Sequence, residues 1–346
     1  MTGWEQILLA RRALAAAWAR PAFPYKLTLV ATERCNLRCE ICRIWEAGKE
    51  GMALPEIREF FRRSNRFSWV DVTGGEIFLR DDLLDVFEAI LSGCRQLAIL
   101  HFPTNGYMVD RIVDVTRELV RMRPPRLVIT VSVDGPPDIH DKARGTRGSF
   151  DHAVETFARL RSLRGCSAFL GMTLTDANLE STEGTLAAVR RRVPGVTAAD
   201  LHVNLPNRSG HYYRNEGVHG PLPEALKEAL RKIRRGRGIP STPFGIVECR
   251  TLALGERFLR TGRCPVSCQA LSASCFVSAD GVVYPCVTWS RPIGILKEYG
   301  YDLAALWNAS PAAHLREEIA SGRCPQCWTA CEAIPAIAAR WGTLRP

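Results

Sequence analysis

The sequence predicts an α/β fold: an open, partial (β/α)6 TIM-like barrel with a small C-terminal β-hairpin/α module. Three observations predict it. Six short β-rich apolar runs recur at 27–32, 69–73, 97–103, 127–133, 169–175 and 201–205. Amphipathic stretches at 55–65, 81–92, 111–122, 151–163 and 183–192 separate them, and strands alternating with such helices build a parallel sheet. Each strand ends in polar or glycine-rich residues, as a barrel with its site at the C-terminal face requires. Six repeats instead of eight leave the barrel open. Finally, ten of the thirteen cysteines fall at 35–42 and 264–331, the second zone lying beyond the last βα unit.

The elements follow in order. Residues 3–20 read as a helix, with Trp4, Ile7, Leu8, Leu14 and Trp18 on one face, Arg11 and Arg12 off it, and Pro21 and Pro24 ending it. The expectation is that this apolar face packs across the barrel end. A basic amphipathic helix can also lie on a membrane. The barrel is expected over 26–210 and a connector over 211–262, with a basic helix from about Glu224 to Arg235 and room for substrate contacts. The last segment, 263–346, holds a hairpin turning at Asp280-Gly281.

A chain of 346 residues suits one large barrel plus a smaller module. Apolar content of 46% and charged content of 24% are those of a soluble globular protein. No apolar run approaches the ~20 residues of a membrane span, and no signal peptide is evident. The expected location is therefore cytoplasmic, where metal ligation explains thirteen cysteines better than disulfides do. The net charge of +10, mostly arginine, admits an anionic partner. No basic run is interleaved with aromatics, so no nucleic acid is expected. Most of the charge reads as a solvated surface.

Cys35, Cys39 and Cys42 form the run Cys35-Asn36-Leu37-Arg38-Cys39-Glu40-Ile41-Cys42 directly after the first strand. Three thiolates on one loop can hold three irons of a cubane and leave the fourth open, whereas clusters are normally closed by four cysteines. Zinc wants four ligands, and no fourth Cys or His lies nearby in sequence. The second strand ends in Gly74-Gly75-Glu76, the third in Thr104-Asn105-Gly106 and the fourth in Ser132-Val133-Asp134-Gly135. His140-Asp141-Lys142-Ala143-Arg144-Gly145 and Gly148-Ser149-Phe150 follow. Turn and helix-cap chemistry is the alternative for Asp134, His140 and Asp141.

In the C-terminal zone twelve residues separate Cys268 from Gly281, Gly281-x4-Cys286 follows, and Cys324-Pro325-Gln326-Cys327 supplies a later pair before Cys331. Cys264/Cys268 with Cys324/Cys327 could also hold a structural zinc. Cys94 and Cys166 read as buried core residues.

Together these motifs resemble the radical S-adenosylmethionine (SAM) enzymes that carry a C-terminal SPASM or twitch extension. The resemblance implies a 4Fe–4S cluster on Cys35, Cys39 and Cys42 whose open iron is chelated by the methionine of SAM. It implies reductive cleavage to a 5′-deoxyadenosyl radical and hydrogen-atom abstraction. By the same resemblance Gly74, Gly75 and Glu76 meet the methionine amino group, and Asn105 closes the matching turn of the third strand. Ser132 meets the ribose or methionine, and Arg144 pairs with the carboxylate. Ile41 stands where an aromatic residue usually floors the adenine. At least one auxiliary 4Fe–4S cluster is implied, on Cys268, Cys286, Cys324 and Cys327, with Cys331 as a further ligand and Cys264 and Cys275 as alternates. An electron donor such as flavodoxin or ferredoxin is implied as partner.

The expected substrate is a small biosynthetic intermediate such as a sugar or aminocyclitol, undergoing two-electron oxidation or rearrangement. About 25 residues precede the first strand, too few for a peptide-recognition domain. A peptide or protein substrate, a lipid substrate, and a non-catalytic Fe–S or zinc scaffold are the alternatives.

Overall fold

A computed structural model describes residues 4–16, 18–240 and 243–340. Its elements are α1 (Trp4–Ala15), β1 (Lys26–Thr32), α2 (Leu54–Arg63), β2 (Trp69–Gly74), α3 (Leu83–Gly93), β3 (Ile99–Thr104), α4 (Val109–Arg121) and β4 (Leu127–Ser132). There follow α5 (Pro137–Arg144), α6 (Ser149–Ser162), β5 (Cys166–Thr173), α7 (Thr182–Arg190), β6 (Leu201–Asn204), α8 (Pro223–Gly236) and α9 (Pro243–Thr261). The chain continues through β7 (Ser274–Val277), β8 (Val282–Tyr284), β9 (Gly294–Ile295), α10 (Leu303–Trp307), α11 (Ser310–Ala320) and α12 (Ala330–Ala339).

Strands β1 to β6 pair in sequence order, all parallel, as the six βα repeats require. The outer face of the sheet packs on the helices. In α4, Ile112, Val113, Thr116 and Leu119 are buried at helical spacing against it. An aromatic cluster of Phe23, Phe60, Phe61 and Phe67 seals α2 against the start of the sheet.

The inner face is different. Along β3, β4 and β6 burial alternates: Leu100, Phe102, Ile129 and Val131 are fully buried, while His101, Pro103, Val128, Thr130, Ser132, His202 and Asn204 keep some exposure. Register places the second set on the inner side, so the barrel is hollow between β3 and β6. A closed eight-stranded barrel would be filled there. Next to β1 the interior is packed instead, around the buried pair Lys26–Asp71 at 2.9 Å.

The C-terminal hairpin extends the same sheet. β7 runs parallel to β1, with Lys26 opposite Ser274, and β8 and β9 continue antiparallel. The β7–β8 turn is at Asp280-Gly281, where Gly281 takes φ +76°.

Two expectations are corrected. α1 does pack at the N-terminal end of the strands, but with its small side: Leu9, Ala13 and Ala16 meet Tyr25, Ala273 and Ala338. Alanines let the helix lie close. Arg12 anchors it, donating to Arg66 O at 2.8 Å and Ser68 Oγ at 2.6 Å and bonding Gln96. Ile7, Leu14 and Trp18 therefore stay exposed, at 53%, 45% and 85%. The side chain of Trp4, and residues 1–3 and 341–346 of the expected terminal segments, lie outside the described residues. The connector also holds a second helix, α9. A Cβ at Gly255 would come within 3.1 Å of Leu230 and of Trp328, so the glycine serves close packing of α9.

Candidate active site

Cys35, Cys39 and Cys42 are half-buried on the loop after β1. The loop is fastened to the end of α5: Arg38 N donates to Arg144 O at 3.2 Å, and Glu40 N to Ala143 O at 3.0 Å. Gly145, at φ +64°, is required there because a Cβ would strike Arg38 O. Gly74 and Gly75 are required for a related reason. A Cβ on either would strike the carbonyl of Thr32 or Arg34, so this pair admits the cysteine loop's own backbone.

Glu76 is 1% exposed. Its carboxylate accepts from Asn105 N at 2.8 Å and from the Thr104 hydroxyl at 3.0 and 3.1 Å. Burial pushes its pKa up to about 7, and among the described residues no Lys or Arg pairs with it. Asn105 Nδ2 donates to Asn36 Oδ1 at 2.8 Å and lies 4.0 Å from Cys35 Sγ. Ser132 faces the hollow, and Ile41 is held by its carbonyl, which accepts from Asn215 Nδ2 at 2.8 Å.

The Arg144 fork is engaged within the chain. Nη2 pairs with Asp134 at 2.6 Å, and Nη1 lies 3.7 Å from Cys39 Sγ. Buried Asp134 needs this counter-charge, which leaves only Nε buried without a partner. Asp134 also accepts from Thr173 N, and its own N–H donates to His140 Nδ1. His140 is buried, which pulls its pKa down to about 4 and keeps it neutral. Asp141 accepts from Gly148 N, Phe150 N and the Ser149 hydroxyl, so it caps the start of α6.

In the C-terminal zone the thiols of Cys268, Cys286 and Cys327 lie within electrostatic range of one another. Gln326 links Cys264 to Cys324: its Oε1 accepts from Cys264 N at 2.9 Å and its Nε2 donates to Cys324 Sγ at 3.2 Å. Cys331 sits at the start of α12, its carbonyl accepting from Lys26 Nζ at 2.8 Å. Cys275 is apart from these, buried on β7 with its thiol toward Lys26 O. Among the described residues no three His, Cys, Asp or Glu side chains converge on the spacing of a single metal ion.

Residues 209–215 form a strap between the two cysteine zones. The Tyr212 hydroxyl donates to Gly74 O at 3.2 Å and meets the Thr73 hydroxyl at 2.9 Å. Tyr213 O accepts from Arg43 N at 2.8 Å. His211 stacks on Tyr284, ring centroids 4.1 Å apart, and shares hydrogen bonds with Ser209 and Ser290. These residues lie at the barrel–connector boundary, and their signal in the sequence is His211-Tyr212-Tyr213, three aromatic polar residues in a polar loop.

The family model of the radical SAM superfamily matches residues 29–189, and that of the SPASM iron–sulfur cluster-binding domain matches 268–331. The chain carries a radical SAM domain followed by a C-terminal SPASM domain. It is 26% identical over 162 residues to the antilisterial bacteriocin subtilosin biosynthesis protein AlbA of Bacillus subtilis (strain 168), a match covering 45% of this chain and 34% of AlbA. It is 29% identical over 158 residues to a GTP 3′,8-cyclase of Aquifex aeolicus (strain VF5), covering 42% and 46%. The match thus spans a third to a half of these relatives' lengths. In fold it is similar to Streptococcus suis SuiB bound to S-adenosylmethionine (TM-score 0.60, 14% identity, 85% of this chain and 68% of that one). It is also similar to anSMEcpe with bound AdoMet and Kp18Cys peptide (TM-score 0.58, 15% identity, 85% and 83%).

The cofactors of this radical SAM enzyme are a 4Fe–4S cluster, SAM and at least one auxiliary Fe–S cluster. The residues present fit them. Soft thiols sit on the loop at the strand ends, and a desolvated carboxylate without a paired cation, Glu76, lies beside them. Burial pushes the Cys35 thiol up to about 11 and Cys42 to about 12, so their deprotonation is coupled to metal binding. Among the described residues no helix is long and apolar enough to cross a membrane.

Proposed function

We propose that this enzyme abstracts a hydrogen atom from a small, polar biosynthetic intermediate held in the hollow between β3 and β6, leading to oxidation or rearrangement. The hollow is the observation that carries the reading. Its wall presents His101, Thr130, Ser132, Thr173, His202 and Asn204, with Phe169 as the aromatic member. Two imidazoles are braced from behind by carboxylates: His101 Nδ1 meets Asp71 at 3.1 Å, and His202 Nδ1 meets Glu248 at 2.7 Å. His101 Nε2 also meets the Thr130 hydroxyl at 3.0 Å, and a hydroxylated or amino-bearing molecule finds further donors and acceptors on such a wall. The strap is tied to Thr73 and Gly74 at the end of the neighbouring strand β2.

When bound, the cluster and SAM supply the hydrogen-abstracting radical. Cys35, Cys39 and Cys42 would hold the cluster. Glu76 would receive the methionine ammonium, and Arg144, fixed by Asp134, would lend its positive charge to the carboxylate side. Gly74, Gly75, Asn105, Ser132 and Ile41 would line the remaining SAM surface. Cys268, Cys286, Cys324 and Cys327, with Cys331, would hold auxiliary iron. Cys264 joins the candidates through its link to Cys324.

A peptide substrate is the second reading, favoured by the partial match to AlbA, a bacteriocin biosynthesis protein. One experiment separates the two. The reconstituted enzyme is incubated anaerobically with SAM, dithionite and extract from cells grown in heavy water. Deuterated 5′-deoxyadenosine should appear, and protease treatment of the extract followed by removal of material above ~1 kDa should leave the signal intact. Loss of the signal on protease treatment would replace the small-molecule reading by the peptide one.

A further inference from the structure

We infer that the N-terminal end of the barrel, opposite the cysteine loop, docks on an anionic lipid bilayer. The loops entering β1 to β6 lie at 16–25, 64–68, 94–98, 122–126, 163–165 and 191–200. They contain eight arginines and one acidic residue, Asp200. Loops at the other end mix signs, as in Glu33-Arg34 and Arg80-Asp81-Asp82.

Arginines in the last turn of a helix are explained by the helix dipole and by partners on their own helix. Arg62 and Arg63 pair with Glu59, and Arg121 with Glu118. That account does not reach Arg66, Arg95, Arg123, Arg164 and Arg191, which lie beyond the helix ends. All five are exposed, and among the described residues none has an ion-pair partner. Arg66 rests over the Phe23 ring without neutralising its charge.

α1 lies across this same end, and it presents Ile7, Arg11, Leu14 and Trp18 outward at spacings of four, three and four, which is one helical face. Trp18 N donates to Ala15 O, so the turn continues to it. Met122, 38% exposed, adds an apolar residue from the loop before β4. A ring of unpaired cations around an apolar strip that includes a tryptophan matches an interfacial surface, where cations meet lipid phosphates and the apolar side chains enter the acyl boundary. Nucleic acid would use the cations and leave Ile7, Leu14 and Met122 without a role. Docked this way, the cysteine loop points away from the bilayer, so the surface serves placement of the enzyme and not delivery of a lipid substrate.

The test is co-sedimentation of the reconstituted full chain with vesicles of equal parts phosphatidylglycerol and phosphatidylcholine at about 0.1 M salt, where charges within roughly 10 Å still act. Binding is expected to these vesicles and not to phosphatidylcholine alone. Replacing Arg95, Arg123 and Arg164 together by Gln should weaken it about a hundredfold, as loss of three surface cations implies. Trp18→Ser should weaken it and remove a blue shift of tryptophan emission on vesicle addition. Both variants change exposed side chains, and melting temperature and iron content should match the parent. No binding to anionic vesicles, equal binding to phosphatidylcholine, an unaffected arginine variant, or tighter binding to a single-stranded or duplex DNA probe would each overturn the inference.

Discussion

The hydroxyls of Tyr212 and Thr73 meet at 2.9 Å, joining the strap to the end of β2. The single Tyr212 proton goes to Gly74 O, so Thr73 is the donor in the pair. Tyr212→Phe should cost about 1 kcal/mol. Hydrogen exchange should quicken in residues 205–218 and stay unchanged in β3 and β4. Unaltered exchange in the strap would show that Tyr213 and Asn215 hold it without Tyr212.

Replacing Cys35, Cys39 and Cys42 together by Ala should remove about four irons per chain, one cluster's worth, and abolish formation of 5′-deoxyadenosine. The barrel should remain folded, because its core lies between the sheet and the helices. Iron analysis and circular dichroism on the same preparation check both halves.

Glu76 should make SAM affinity depend on pH. Burial holds its pKa at about 7. Ionised above that value, it attracts the methionine ammonium; protonated below it, the attraction is lost. Affinity measured by equilibrium dialysis should therefore rise between pH 6 and pH 8, and Glu76→Gln should flatten the profile. The sign for the ligand-free fold is opposite: a carboxyl raised from 4.5 in the unfolded chain stabilises the fold at low pH, and this contribution fades as pH rises from 4.5 through 7.

Asp134→Ala should leave Arg144 buried without its carboxylate. Breaking such a pair costs roughly 3–5 kcal/mol, and the urea midpoint should fall accordingly. Arg144→Lys keeps the charge but loses the fork. It should weaken SAM binding on the order of tenfold to a hundredfold with a smaller loss of stability.

The triple-alanine variant should retain auxiliary iron, at least about four per chain. Further substitution of Cys268, Cys286, Cys324 or Cys327 should remove it and lower the melting temperature. Cys275→Ser should leave iron unchanged, since that thiol faces Lys26 O. Stoichiometric zinc in place of iron after anaerobic preparation would make the zone a structural metal site.

The βα rhythm was legible because each helix buries one stripe and each strand two faces. The cysteine spacings and the turns at 74–76, 104–106 and 132–135 were legible because they are local. The outward turn of α1 was not, since alanine and leucine offer rival apolar faces and the arbiter, Arg12, binds residues more than 50 positions away. His101 and His202 were not visible as facing one hollow either, because strand registry is a property of pairing.

The pairing of β7 with β1 carries a last consequence. The ladder joins residues roughly 250 positions apart, Lys26 with Ser274. Until the later strand is synthesised, the outer edge of β1 has no partner and is open to pairing with another chain. Contacts of such high sequence separation close slowly. Cys35 lies just beyond the end of β1 and Cys286 two residues beyond the hairpin strand β8, so one backbone ladder fixes the distance between the two cysteine zones. An electron crossing between Cys35 and Cys286 would meet a span set by strand registry.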